Sequence, residues 1–208
     1  AGRGVRGPVA AASPGHVAVE VAELLAEAPR RPHITVVQAL PKGDRGTLAA
    51  DLMTEAGVDA IVPWQAARSI VRWTGERGAK QQASWRAAVR EAAKQSRRLT
   101  APAVADLAST AAVAELLAAA PRAVVCHETA ATPLWRWYGQ LAPGGDPAAP
   151  TVLVIGPEGG VAPDELAAFE AAGASPCGLG PTVLRTSTAG AVAVAQVRLL
   201  AALAEAAR

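Results

Sequence analysis

The chain has 208 residues, 51% of them hydrophobic, with a formal net charge of +2 and a sequence pI near 8.8. That length and apolar share support the core of one ordinary domain plus a smaller piece and exclude a disordered chain. The mild charge excludes an overall basic field as the means of holding nucleic acid, so any such binding needs a local patch.

Residues 1–33 open with Gly2, Gly4 and Gly7 among Arg3 and Arg6, then set Val17, Val19 and Val21 in alternation. This is the pattern of a half-buried strand, and the segment reads as the tail of a small β domain. No signal peptide is visible, and the chain starts at Ala1 without Met. Pro29-Arg30-Arg31-Pro32 suits a linker.

From Ile34 onward strands and helices alternate. The pattern predicts a strand over Ile34–Ala39, a helix over Thr47–Ala56 stopped by Gly57, and a strand over Ala60–Val62. After Pro63 and a polar stretch come helices over Ser84–Leu99 and Thr110–Ala119 and a strand over Ala123–Cys126. Such alternation implies an α/β domain with a parallel sheet covered on both faces, spanning residues 34–208. Cys126 and Cys177 are the two cysteines, each inside an apolar run, where inert core thiols in a reducing cytoplasm are expected and a disulfide is not.

The stretch Thr151–Ala189 organises the rest. Val152–Ile155 reads as a strand buried on both faces, and Gly156-Pro157-Glu158-Gly159-Gly160 follows at once. Its glycines let backbone approach a ligand and aim amides into a turn, while Glu158 can take a polar group. A helix then begins at Pro163, with Asp164 and Glu165 in its first turn and Gly173 as its stop. A strand near Ser175–Leu179 and a second loop, Gly180-Pro181-Thr182-Val183-Leu184-Arg185, precede a last helix over Ser187–Ala207. In open sheets ligands bind beyond the carboxyl ends of the strands, so His127-Glu128-Thr129, Gly156–Gly160 and Gly180–Arg185 should meet in one cleft.

Other groups have bland readings beside functional ones. Arg86, Arg90, Lys94 and Arg97 line one face of the Ser84–Leu99 helix, as a solvated stripe or as a phosphate track. Lys42-Gly43-Asp44-Arg45 reads by composition as a turn before a helix. His127 and Glu128 lack further ligands at metal spacing, so no metal is expected. Dinucleotide and P-loop readings fail, since neither GxGxxG nor GxxxxGK[ST] occurs. The longest apolar run, 189–204, contains Gln196 and Arg198 and is expected to fall short of a membrane span.

LPKGDR, QSRR, HE, IGPEGG and LGPTVLRTSTA, in this order over Ile34–Leu200, closely resemble the signature of the RsmE family of SPOUT methyltransferases. The resemblance implies methylation of N3 of a uridine in 16S ribosomal RNA, within the small ribosomal subunit, using S-adenosyl-L-methionine. It implies a carboxy-terminal trefoil knot, an exception among chain topologies, and a small PUA-like β-barrel ahead of the catalytic domain, here expected to be partial and RNA-binding.

The cofactor is then expected at His127, Glu128, Ile155, Gly156, Pro157, Glu158, Gly159, Gly160, Leu179, Gly180, Val183 and Leu184. RNA is expected at Lys42, Arg45, Arg90, Lys94 and Arg97. Arg185 is expected to stabilise charge on the uracil oxygens, with Arg98 assisting it or holding a phosphate. Ser187 stands where the family commonly has a carboxylate, so it cannot act as a strong base. A non-catalytic RNA-binding or ribosome-assembly protein and a ribose 2′-hydroxyl methyltransferase remain as alternatives. The last helix has apolar residues on nearly every side and needs a partner on its outer face, so a homodimer is expected, as in SPOUT enzymes generally.

Overall fold

The computed structural model describes residues 2–140 and 146–207; the outermost expected domain bounds, Ala1 and Arg208, lie outside them. Four short strands come first: β1 (Arg3–Arg6), β2 (Val9–Ser13), β3 (His16–Val19) and β4 (Glu23–Ala26). They form two antiparallel pairs, β1 with β4 and β2 with β3. The alternation of Val17, Val19 and Val21 does not produce a half-buried strand, because Val17 and Val21 are exposed and Val21 lies beyond β3. Two-stranded ribbons have no second layer to cover a face. The region meets the rest at Gly2 and Gly4, which lie against Thr100 and Leu99; a Cβ at Gly4 would lie 2.8 Å from the Leu99 side chain.

The main body alternates as expected: β5 (Ile34–Ala39), α1 (Arg45–Glu55), β6 (Ala60–Trp64), α2 (Gly75–Gln95), β7 (Ala103–Val104), α3 (Thr110–Ala118), β8 (Arg122–Cys126), α4 (Leu134–Gly139), β9 (Thr151–Ile155), α5 (Pro163–Ala171), β10 (Ser175–Cys177) and α6 (Thr186–Ala206). The six strands β5 to β10 make one parallel sheet in the order β10-β8-β9-β5-β6-β7. Alternate residues of each strand feed two cores. Val36, Leu153 and Ile155 pack with Met53 of α1, Trp85 of α2, Leu134 of α4 and Val194 of α6. Val37, Val152 and Val154 face Leu117 of α3 and Phe169 of α5. Helices therefore cover both faces, and every residue of β9 is buried.

Several boundaries differ from the sequence reading for identifiable reasons. β6 continues through Pro63 because β7 pairs only with Ala60 and Ile61, so the missing N–H falls outside that ladder. Helix α2 starts at Gly75, nine residues before the expected Ser84 (84 − 75 = 9). Its first turns expose Arg77, Lys80, Gln81 and Ser84 and bury Gly78, so they carry no apolar period to read. β7 and α4 were not foreseen. α1 does end where expected, before Gly57, which takes φ +98°, a conformation that suits glycine.

Helix α6, at 21 residues, is long and apolar enough to cross a membrane, contrary to the expectation from its Gln196 and Arg198. It is nevertheless a core helix, packing on α1, β5 and β9 with Ala193, Val194 and Val197 at 0% exposure.

Candidate functional site

The strand order places a switch point between β5 and β9. From β5 the chain proceeds through α1 on one face towards β6, and from β9 it proceeds through α5 on the other face towards β10. The loops leaving the carboxyl ends of these neighbours diverge and open a crevice between them, the usual ligand position in such sheets. A cavity of about 270 Å³ lies there.

Its wall joins the three segments the sequence singled out. His127 and Glu128 follow β8, Ile155–Glu158 and Gly160 follow β9, and Gly178–Arg185 follow β10. Of the twelve residues expected to hold a cofactor, only Gly159 is not on the wall. Its carbonyl instead accepts a hydrogen bond from Arg68 Nη1 at 3.0 Å. Gly160 turns with φ +72°, and a Cβ there would approach Glu128 Oε1 to 3.4 Å. Among the described residues none of the amides from Leu179 to Leu184 donates a hydrogen bond within the chain, so they remain for a ligand. The Leu179 carbonyl is fixed by Gln196 of α6 at 2.7 Å. Glycine backbone, free amides, apolar Ile155, Leu179 and Leu184, and the Glu128 carboxylate suit a ligand with an apolar body, ribose hydroxyls and a cationic centre.

The 42–45 loop joins this site from β5. The Lys42 amide donates to Glu158 Oε1 at 3.2 Å, and Arg45 lies 3.6 Å from the same carboxylate and lines the cavity. Arg68 and Arg45 bracket the glycine loop from two sides. Arg68 was missed by sequence reasoning; the polar stretch after Pro63 offered no signal for it.

Arg185 sits at the cavity rim as the N-cap of α6, exposed, with no side-chain partner among the described residues. A cation at the positive end of a helix dipole is locally unfavourable, and such conflicts concentrate at functional positions. Ser187, 3% exposed, does not line the cavity, whereas Thr186 and Ala189 do. A hydroxyl at 187 thus leaves the cavity wall unaltered.

Other expected residues lie apart. Within the chain Arg98 is not brought to the site: its Nη1 donates to the Thr54 carbonyl at 2.8 Å, near Asp59, Arg30 and Arg198 at the amino ends of β5 and β6. Burial first, then the charge of Arg30, lowers its affinity for its proton. Arg97 lies past the end of α2 with φ +56° and so leaves the helical stripe. Arg86 is paired with Asp106 at 3.0 Å and Lys94 with Glu91 at 2.8 Å, while Arg90 is exposed.

Cys126 and Cys177 are free and adjacent in register across β8 and β10. Cys177 is buried; Cys126 is half-buried and reaches the cavity wall. Burial pushes the Cys177 thiol up to about 11 and, with the neighbouring thiol, pushes Cys126 higher still, so both stay protonated and inert at neutral pH.

Residues 28–198 match the family model described as an RNA methyltransferase domain. The chain is 46% identical over 203 residues to a Mycobacterium bovis protein named ribosomal RNA small subunit methyltransferase E, covering 96% of this chain and 75% of that one. Among solved structures it is similar to a ribosomal RNA small subunit methyltransferase E from Neisseria gonorrhoeae bound to S-adenosyl methionine. That match has a TM-score of 0.79 and 28% identity, covering 96% of this chain and 79% of the other. A SpoU methyltransferase of Streptomyces viridochromogenes shares the fold at a TM-score of 0.51 and 11% identity, over 84% of this chain and 62% of that one.

Proposed function

The chain belongs to the ribosomal RNA small subunit methyltransferase E family, and from that premise we propose that it methylates N3 of a uridine in 16S ribosomal RNA with S-adenosyl-L-methionine bound in the 270 Å³ cavity. The observation that carries this reading is Arg185, a guanidinium at the rim of a glycine-walled cavity with no partner among the described residues.

When bound, S-adenosyl-L-methionine supplies an electrophilic methyl group. The backbone of Gly156–Gly160 and Leu179–Leu184 holds it, with His127 and Glu128 beside it. Glu128 accepts from ribose hydroxyls or faces an ammonium. Uridine N3 passes its proton to solvent water before or during transfer, and negative charge spreads onto the ring oxygens. Arg185 offsets that charge, an effect largest as charge develops.

Lys42 and Arg45 guide RNA beside the cavity, and Arg90, Lys94 and Arg97 hold phosphates further out. Arg98 serves as a brace of the fold within its own chain.

The remaining architecture follows the same reading. Residues 1–33 form the partial β-barrel that touches RNA and 34–208 the catalytic domain. The chain passes from β10, at a sheet edge, through Gly178–Arg185 to α6 under the sheet centre. The Thr186 carbonyl there faces Gln38 of β5 at 3.5 Å, a path that supports a trefoil knot. On α6 the exposed Leu199 and Leu203, with exposed Trp135 on the neighbouring α4, form an apolar patch that supports a homodimer. Free adjacent thiols suit a reducing cytoplasm.

The test is to incubate the chain with S-adenosyl-L-methionine and small ribosomal subunits, then map modified nucleosides by mass spectrometry. Methylated uridine bases in 16S RNA are expected. Ribose 2′-O-methylation or no transfer would overturn the reading.

A further inference from the structure

Across the 42–45 loop from the cofactor cavity lies a second one, of about 420 Å³, sharing no lining residue with the first. Pro41, just before that loop, and Asp44 within it form one side. Arg72 and Trp73 form the other, with Arg77 and Gln81 of α2 beside them and the buried indole of Trp85 within. It lies at the carboxyl ends of β5 and β6, the same end of the sheet as the methyl-transfer site.

The wall is built, not incidental. Gln65, just past β6, donates from Nε2 to the Val71 carbonyl at 2.9 Å and accepts from the Trp73 amide at 3.3 Å, so its one side chain fixes residues 71–73. Trp73 then meets Trp85 edge-on, with ring centroids 5.1 Å apart and planes at 82°. The cations here are free, unlike Arg86 and Lys94 further along α2, which are held in ion pairs. Among the described residues Arg77 has no ion-pair partner, and Arg72 makes only a long contact of 3.5 Å to the Ala67 carbonyl. The Asp44 side chain accepts no capping bond and is left for an amino or hydroxyl donor. Two guanidiniums, an indole and a spare acceptor in one cavity make up the recognition set of a single-stranded nucleotide: phosphate on arginine, base against an aromatic face.

Resting on the methyltransferase reading, we propose that this second cavity receives an unstacked RNA nucleotide flanking the target uridine. Arg72 and Arg77 take its phosphates and Trp73 its base. The Lys42–Glu158 contact makes the 42–45 loop a partition between the two cavities, so a strand crossing that loop presents successive nucleotides to both.

The test uses the full chain, S-adenosyl-L-methionine and unmethylated small ribosomal subunits. The R72A/R77A double variant, altered at two exposed residues, is expected to raise KM for subunits by roughly tenfold or more, since two phosphate contacts are lost. Its kcat at saturation and its cofactor affinity should stay within about twofold of the parent, as expected when the lost contacts bind the ground state and the transition state equally. Ultraviolet cross-linking of the parent should attach RNA to the 73–77 tryptic peptide. An unchanged KM with cross-links confined to other peptides would overturn the inference while leaving the function standing. A loss of cofactor affinity in the variant would overturn it too, by making the segment part of the cofactor site. A parent that transfers no methyl refutes the functional reading and this inference together.

Discussion

Two arginines of one helix, its N-cap and a residue in its second half, show how differently a charge can be used. Arg185 caps the start of α6, exposed and without a partner among the described residues, where the helix dipole opposes it. Arg198, about 20 Å along the same helix, is nearly covered and fully engaged. It donates to the Gly57 carbonyl twice, to the Pro32 carbonyl at 2.6 Å and to Asp59 at 2.6 Å. Asp59 in turn accepts from the Ile34 amide at 2.8 Å, so the cluster ties α6 to the amino ends of β5 and β6. At the amino end of the sheet Arg198 and Asp59 satisfy each other and nearby backbone groups, whereas at the carboxyl end Arg185 stands at a cavity rim. The first arrangement serves stability, and the second is the one proposed for chemistry.

Substitution at each end should separate the two. Arg185→Ala is expected to lower kcat by roughly 100- to 1,000-fold, the loss seen when a group stabilising transition-state charge is removed. Its melting temperature and S-adenosyl-L-methionine affinity should match the parent, and near-parental turnover in a methyl-transfer assay would collapse the contrast. Arg198→Ala should do the reverse. Losing a mostly buried, charge-assisted cluster should cost about 2–3 kcal/mol, a fall of roughly 5–10 °C in Tm. Turnover per folded molecule should be retained, as thermal melts paired with assays at low temperature would report.

Gly160→Val sharpens the chemical end. A β-branched residue forced to φ +72° carries about 1–2 kcal/mol of strain, and its Cβ points at Glu128. Calorimetry should show S-adenosyl-L-methionine binding weakened by roughly tenfold or more, with only a small loss of stability. The smallest effect concerns α2. Replacing exposed Arg90 and Lys94 together should reduce the log–log salt slope of RNA binding by at most about 2. The lower part of that range is expected because Lys94 already pairs with Glu91; an unchanged slope in a binding titration would return the stripe to plain solvation.

From Ile34 to Ala206 the amino-acid order alone determined most of the architecture. Short β-branched apolar runs bounded by turn residues, such as Val152–Ile155, read as central strands, and Pro163 and Gly173 punctuate α5 by local backbone chemistry that needs no distant partner. The glycine loops were legible for the same reason, since they follow directly from strand ends whose direction is set by the parallel order, while Arg185 was singled out by resemblance and lies on the cavity wall. What only the tertiary structure decided concerns long polar side chains and polar helix turns. Arg98 reads as a phosphate binder beside Arg97, yet its partner is a carbonyl 44 residues earlier. Arg68 carries no local mark, yet folds onto the Gly159 carbonyl 91 residues later. An arginine spans several ångströms and bonds to whatever acceptor the fold brings within reach, so its role is fixed by long-range packing and not by its neighbours in sequence.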